Sequence, residues 1–187
     1  SNTALCVGPN ITYVKVKSSN PYTGVPATYI VAKDLVGKLF SEKIPFEVLP
    51  GEMKGSELVG MRYEQLIPWF RPDEGAFRVI PGDYVSTEEG TGIVHIAPTF
   101  GADDAKVAKA AGVPGLVVID RNGDRQAQVD PRGRFYRAGD LDPEYVKERV
   151  SDEYREWAGR YVKNAYDDSL PADAPTLDVD LCVMMKS

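Results

Sequence analysis

The sequence has few of the residues that build metal sites or disulfide frameworks. Its 187 residues include two cysteines, Cys6 and Cys182, and one histidine, His95. The cysteines lie far apart and form no CxxC pair, which argues against a structural zinc site and against a disulfide scaffold. Since thiols stay reduced in the cytosol, we expect a cytoplasmic protein.

Long apolar runs and an excess of positive charge are also lacking. No stretch of about eighteen apolar residues is present, so no transmembrane helix is expected. No basic leader followed by an apolar run opens the chain, so no secretory signal is expected. The 22 Lys and Arg residues are outnumbered by 28 Asp and Glu, which gives a net charge of −6. Because phosphate contacts need clustered cations, we do not expect strong autonomous binding to nucleic acid.

The residues that are present suit one globular domain covering residues 1–187. Hydrophobic residues make up 43% and charged residues 27%, which is enough apolar material for a full core. The 17 glycines and 14 prolines are scattered along the chain, as in a domain of many short strands and turns.

Alternation and apolar spacing predict a mixture of strands and helices. Strands are predicted at 14–17, 46–49, 77–80, 93–96 and 116–119, with a hairpin turn at Asn122-Gly123. Helices are predicted at about 32–42, at 103–111, and from the cap Asp142-Pro143-Glu144 through Trp157. No regular βαβ alternation is visible, which favours an α+β domain centred on a β-barrel with flanking helices over a doubly wound sheet.

The segment 90–104 carries the most informative pattern. Gly90-Thr91-Gly92 leads into a strand that bears His95, and a loop then reaches Asp103 and Asp104 at a helix start. The helix dipole and the free N–H groups keep a carboxylate ionised there, as binding of an ammonium group requires. On pattern alone, the simpler interpretation is that both acids cap the helix and that His95 is a hydrogen-bonded structural histidine.

Four segments together resemble the editing domain of isoleucyl-tRNA synthetases. Residues 90–104 resemble that family's GTGxVHxAPxxGxDD segment, and residues 1–5 the end of its WTTTPWTLPxNxAL segment. Residues 55–66 resemble its GxxLxGxxYxxL segment, and residues 159–163 its GRxVK segment. The four segments follow the family's order. Valyl enzymes usually carry Lys in place of His95, and leucyl enzymes differ there and in the following loop, so the isoleucyl type is favoured.

The resemblance implies a domain that hydrolyses valine wrongly attached to isoleucine tRNA, with valyl-adenylate as a further candidate substrate. Asp104 is expected to bind the α-ammonium group of the misattached amino acid. His95 is expected to line the pocket and to help exclude isoleucine. Thr91, Gly92 and Phe100 are expected as pocket walls, and Tyr161, through the GRxVK match, is a further candidate. With no covalent nucleophile and no metal site expected, a positioned water would attack the ester.

The resemblance also implies a larger parent enzyme. Its synthetic site would use ATP and Mg²⁺, whereas no cofactor is expected in this domain. The expected partners are the 3′ end of isoleucine tRNA carrying valine and the rest of the synthetase, with no membrane. The family's threonine-rich strand would lie before Ser1, so the pocket is expected to be incomplete. Residues 171–187 would lead back toward the catalytic core.

Three alternatives stay open. The first is the editing domain of a valyl- or leucyl-tRNA synthetase. The second is a non-catalytic β-barrel binding module, which predicts no deacylation. The third is an unrelated hydrolase with His95 as general base, which predicts a pH profile set by one imidazole and activity on substrates without an amino group.

Overall fold

The computed structural model describes residues 1–163, 169–171 and 177–186. Its strands are β1 (Ala4–Val7), β2 (Thr12–Ser19), β3 (Pro26–Ala32), β4 (Glu47–Val48), β5 (Met53–Lys54), β6 (Arg78–Pro81), β7 (Ile93–Ile96), β8 (Val118–Ile119) and β9 (Arg125–Gln126). Its α-helices are α1 (Val36–Leu39), α2 (Gly55–Leu58), α3 (Ala102–Ala111), α4 (Pro143–Arg149) and α5 (Leu177–Lys186). Short 3₁₀ helices cover Lys33–Leu35, Ala138–Asp140 and Asp152–Glu156.

The strands form three separate sheets. In the first, β1 lies between β6, to which it is parallel, and β7, to which it is antiparallel. In the second, β2 pairs antiparallel with β3, β4 and β5. The third is the β8–β9 hairpin. The α+β class is therefore confirmed. Strand pairing among the described residues closes no barrel, so a barrel-centred arrangement stays a prediction.

Buried side chains form four clusters among the described residues, and two of these clusters flank the loop between β7 and α3. In the first, the fully buried side chains of β1, β6 and β7 meet Ala108 of α3. The second is an aromatic cluster made of Trp69, Phe70, Phe135, Tyr154 and Trp157. The sheet region places the candidate site, because β7 leads directly into the loop before α3.

Two predicted helices are shorter than expected. Ala32 belongs to β3 rather than to a helix, because its N–H donates to the Thr91 carbonyl (2.9 Å). The helix predicted through Trp157 ends at Arg149, and Val150 is extended at φ −110° and ψ 126°. Val150 forms a bridge with Phe70, and this distant pairing stops the helix. Tyr154 then lies in a separate 3₁₀ turn.

Several other predictions are confirmed at residue level. β7 covers residues 93–96 as predicted, and α3 ends before Gly112, whose φ is +70°. Asp142 caps α4 by accepting a hydrogen bond from the Tyr145 N–H (2.8 Å).

Among the described residues, no helix combines the length and the apolarity needed to cross a membrane.

Candidate functional site

His95 lies on the last strand of the first sheet. In the β1–β7 ladder it stands opposite Leu5, and its side chain is exposed. The next residue, Ile96, is completely buried, as the alternation of side chains along a strand requires. The fixed backbone of β7 therefore presents the imidazole to the outside of the sheet.

Gly92 fixes the start of this strand. Its φ is +76°, and an added Cβ would lie 2.5 Å from the Cβ of Ala32, so no other residue fits without a shift. The Gly92 carbonyl accepts a hydrogen bond from the buried Tyr13 hydroxyl (2.6 Å), which itself accepts one from the Gly8 N–H (3.0 Å). Gly92 is thus a structural hinge before His95. No pattern in the sequence predicts this role of Tyr13.

Asp104 is held at the other end of the strand. Its Oδ2 accepts a hydrogen bond from the Ala97 N–H (2.9 Å), directly after β7 ends. Within the described part of the chain, its Oδ1 accepts no hydrogen bond, which leaves one oxygen available. The neighbouring Asp103 differs, because its side chain is 95% exposed and pairs only with Lys106 (3.4 Å). The two acids at the helix start therefore have different environments.

The surroundings of the Asp104 carboxylate contain groups that the sequence analysis did not predict. A Cβ added to Gly101 would lie 3.0 Å from the Asp104 Cγ, so this glycine makes room for the carboxylate. Burial raises the pKa of the Cys6 thiol, a hydrogen bond from Tyr84 opposes the increase, and the charge of Asp104 adds to it. Burial also raises the pKa of Tyr84, with a smaller contribution from Asp104. The charge of Asp104 therefore acts on both Tyr84 and Cys6.

Asn2 joins three of the segments that carry the family resemblance. Its Nδ2 donates to the carbonyls of Ala4 (2.7 Å) and Ile96 (3.5 Å), and its Oδ1 accepts a hydrogen bond from the Tyr63 hydroxyl. Tyr63 belongs to the GxxLxGxxYxxL match and Ile96 to the GTG match. The sequence analysis placed both Asn2 and Tyr63 in motifs but predicted no contact between them.

The other predicted pocket residues do not line one cavity. Thr91 is exposed and lines a cavity of about 280 Å³ together with Tyr29 and Phe40. Phe100 is 55% exposed and lines a different cavity of about 310 Å³, beside the aromatic cluster. Tyr161 is half-buried and bridges to Arg134.

The structure places Thr91, Gly92, His95, Phe100 and Asp104 on β7 or in the segments that flank it, whereas Tyr161 pairs with Arg134. Thr91 and Gly92 precede the strand, while Asp104 is bonded to its far end at Ala97. The six residue steps from Thr91 to Ala97 span at most roughly 20 Å when extended. Among the described residues, no group of three or more His, Cys, Asp or Glu side chains could hold a metal ion.

Comparisons with known proteins give a consistent result. No model of a protein family matches the chain. The chain is 55% identical over 202 residues to isoleucine–tRNA ligase of Bacteroides fragilis, which covers 100% of this chain and 18% of that protein. The enzyme of Porphyromonas gingivalis is 52% identical over 203 residues, with the same coverage. That of Thermoplasma volcanium is 37% identical over 90% of this chain and 13% of its own length.

Similarity of this extent makes the chain a relative of the aminoacyl-tRNA ligases. Within that class it matches the isoleucine–tRNA ligases, and it spans about 18% of their length. A solved structure described as the crystal structure of GlLeuRS-CP1 covers 59% of this chain and 44% of its own, with 18% identity and a TM-score of 0.37. That likeness is too weak to support a conclusion about function.

Proposed function

We propose that this chain is the editing domain of an isoleucine–tRNA ligase and hydrolyses valine esterified to isoleucine tRNA. The observation that carries the proposal is the geometry of Asp104. One carboxylate oxygen accepts a hydrogen bond from the Ala97 N–H, and the other accepts none from the described residues. A fixed anion next to the exposed His95 strand suits the α-ammonium group of an aminoacyl ester. The similarity to isoleucine–tRNA ligases, which extends over the whole of this chain, supports the substrate class.

The need for such a site follows from the sizes of the two amino acids. A pocket built for isoleucine discriminates against one missing methylene by only about 1–3 kcal/mol, and isoleucine–tRNA ligase is itself the standard example of this limit. A second site that admits valine and rejects isoleucine removes the error. In this proposal, His95 forms part of the pocket wall that sterically excludes the larger isoleucine side chain.

The proposed reaction is attack of a positioned water on the ester carbonyl. Asp104 orients the substrate through its ammonium group, and positioning of this kind supplies several kcal/mol of catalysis. Cys6 lies in a setting that disfavours a nucleophile, because the thiol is buried and burial raises its pKa. The parent enzyme's use of ATP and Mg²⁺, and a cytoplasmic location, belong to the same proposal.

Asp104→Asn tests the role of the carboxylate in the ligase that contains this chain. The amide still has an oxygen that can accept the Ala97 N–H, but the charge is lost. We expect kcat/KM for valyl-tRNA hydrolysis to fall roughly 10- to 150-fold, the equivalent of a charge-assisted contact. Asp103→Asn is the matched control, because that side chain is exposed in the same helical turn. Equal hydrolysis by the Asp104 variant and the wild type would contradict the proposal.

His95→Ala tests the size filter. If the imidazole excludes isoleucine, the smaller side chain enlarges the pocket, and the variant should release isoleucine from correctly charged tRNA. If His95 is instead a general base, hydrolysis of valyl-tRNA should slow while isoleucyl-tRNA remains untouched. Deacylation rates on both aminoacyl-tRNAs, measured with one enzyme preparation, separate the two roles.

A further inference from the structure

A basic cavity lies away from β7, on the side of the chain that carries α4. Its volume is about 650 Å³, and three cations line it. These are Arg137, Lys147 and Arg155, with Asp152 as the one acid in the lining. A local excess of positive charge stands out in a chain whose net charge is −6.

Most of the cations in this cavity form no ion pair with another described residue. Among the described residues, neither the Arg137 guanidinium nor the Lys147 ammonium forms an ion pair. Arg155 pairs with Asp152 at 3.1 Å, but both side chains are at least 80% exposed. Exposed pairs contribute little to stability, so a phosphate can replace the carboxylate on Arg155.

Arg137 is held in place by a glycine of the GRxVK segment. A Cβ added to Gly159 would lie 2.7 Å from the Arg137 Nε, so the arginine side chain crosses the space that Gly159 leaves open. The segment that resembles GRxVK therefore has a use that the candidate site at β7 does not explain. It positions a guanidinium on the wall of the basic cavity.

Small and polar residues complete the cavity. Ala138 and Ala158 leave it open, and Ser151 lies in its wall. The Ser151 hydroxyl is buried without a hydrogen-bond partner among the described residues. Since a serine hydroxyl changes rotamer readily, one χ1 rotation can turn its hydrogen toward a bound anion.

We propose that this cavity binds a backbone phosphate of the tRNA whose ester is hydrolysed at β7. This inference rests on the proposed function for its choice of partner. Three cations and a hydroxyl around one concavity are the groups that bind phosphate. Because the chain as a whole carries a net charge of −6, this basic cavity is a favourable place for a phosphate contact.

The test measures binding of uncharged tRNA, which requires no hydrolysis. In the ligase that contains this chain, Arg137, Lys147 and Arg155 are changed together to Gln. The matched control changes Lys15, Lys17 and Lys43 to Gln, three exposed lysines outside the cavity. The cavity variant should lower tRNA affinity at every salt concentration and reduce the slope of log affinity against log salt by roughly 1 for each phosphate-contacting cation. The control should leave both unchanged.

Ser151→Ala provides a second measurement. It should weaken tRNA binding roughly two- to tenfold, as expected for one lost hydrogen bond, without lowering the unfolding midpoint. Urea unfolding of each variant shows that the fold is retained. Unchanged affinity and slope in the cavity variant would overturn the inference. The inference would also be overturned if the cavity bound inorganic phosphate specifically while the cavity variant kept its tRNA affinity, because the site would then bind a free anion.

The two proposals fail separately. Loss of tRNA affinity in the cavity variant with normal hydrolysis by Asp104→Asn would remove the proposed function and keep the phosphate site. Normal tRNA affinity in the cavity variant, together with lost hydrolysis by Asp104→Asn, would remove the phosphate site and keep the proposed function.

Discussion

At the scale of single residues, the decisive contrast is between Asp103 and Asp104. The sequence placed both at a helix start, and the family resemblance selected Asp104. Only the structure shows why they differ, since Oδ2 of Asp104 turns back to the Ala97 N–H while Asp103 extends into solvent. The direction of a side chain depends on which backbone groups lie nearby, and residue spacing alone does not contain that information.

Gly101 offers a test of how closely the Asp104 carboxylate must be positioned. Gly101 has φ −121°, so Ala is allowed by the backbone, but its Cβ would lie 3.0 Å from the Asp104 Cγ. The carboxylate must then move by a few tenths of an ångström. Since a displacement of about 1 Å costs on the order of a hundredfold in rate, we expect Gly101→Ala to slow valyl-tRNA hydrolysis roughly three- to tenfold.

A control glycine separates this effect from a general change in the fold. Gly37 lies in α1 with no atom within 4 Å of an added Cβ. Gly37→Ala should leave hydrolysis unchanged and stabilise the chain by about 0.5–1 kcal/mol, because alanine favours the helix. Deacylation rates and urea midpoints of both variants are the measurements. An unimpaired Gly101→Ala enzyme would show that the carboxylate tolerates displacement.

At the scale of secondary structure, local signals predicted β7 and α3 well. Gly90 and Gly92 mark the entry to the strand, and Gly112, at φ +70°, ends the helix. The predictions failed where a distant partner decides the conformation. Val150 leaves α4 because it pairs with Phe70, 80 positions earlier in the sequence. β1 was not predicted at all, although it holds β6 and β7 together.

Asp73 joins two of these elements and gives a prediction about pH. Its carboxylate accepts hydrogen bonds from Arg149 at the end of α4 (2.6 Å) and from Arg125 in β9 (3.2 Å). The hydrogen bond from Arg149 is the main reason that the pKa of Asp73 is lowered from its ordinary value of 3.8. A lowered pKa means that the folded state favours the charged form. This stabilisation is complete above the unfolded pKa and disappears as the pH falls through the folded pKa.

Asp73→Asn should therefore lower the free energy of unfolding at neutral pH. The difference from the wild type should shrink once the pH falls below about 4. Urea unfolding of both proteins over a pH series measures this difference. Asp103→Asn is the control, because the pair of Asp103 with Lys106 is exposed and contributes little to stability. A difference for Asp73→Asn that is equal at acid and neutral pH would rule out the ion pairs as its source.

At the scale of the whole molecule, the irregular order of predicted strands and helices favoured an α+β domain, and the observed elements confirm the class. The hairpin turn at Asn122-Gly123 predicted the β8–β9 pair. The division of the other strands into two sheets was not predictable, because β1 pairs with strands that lie more than 70 positions away in the sequence. The same holds for the site. The sequence and the family resemblance located the ends of β7, but the separation of the Thr91 and Phe100 cavities depends on how the sheet region meets the aromatic cluster.

The last prediction concerns whether these two regions unfold together, as the expected single domain requires. The Thr99 hydroxyl, which lies in the loop after β7, donates to the carbonyl of Leu116 (2.8 Å), and Leu116 packs with the aromatic cluster. Both tryptophans of the chain, Trp69 and Trp157, belong to the aromatic cluster, so their fluorescence reports on that region alone. Far-ultraviolet circular dichroism reports on all elements. We expect the two signals to give one coincident urea transition, the criterion for a single cooperative unit.

Tyr154→Ala, which removes a buried ring between Trp69 and Phe70, should lower the common midpoint by the equivalent of about 3–5 kcal/mol in both signals. If fluorescence is lost first while much of the dichroism persists, the aromatic cluster is a separate unit and the single-domain prediction is wrong.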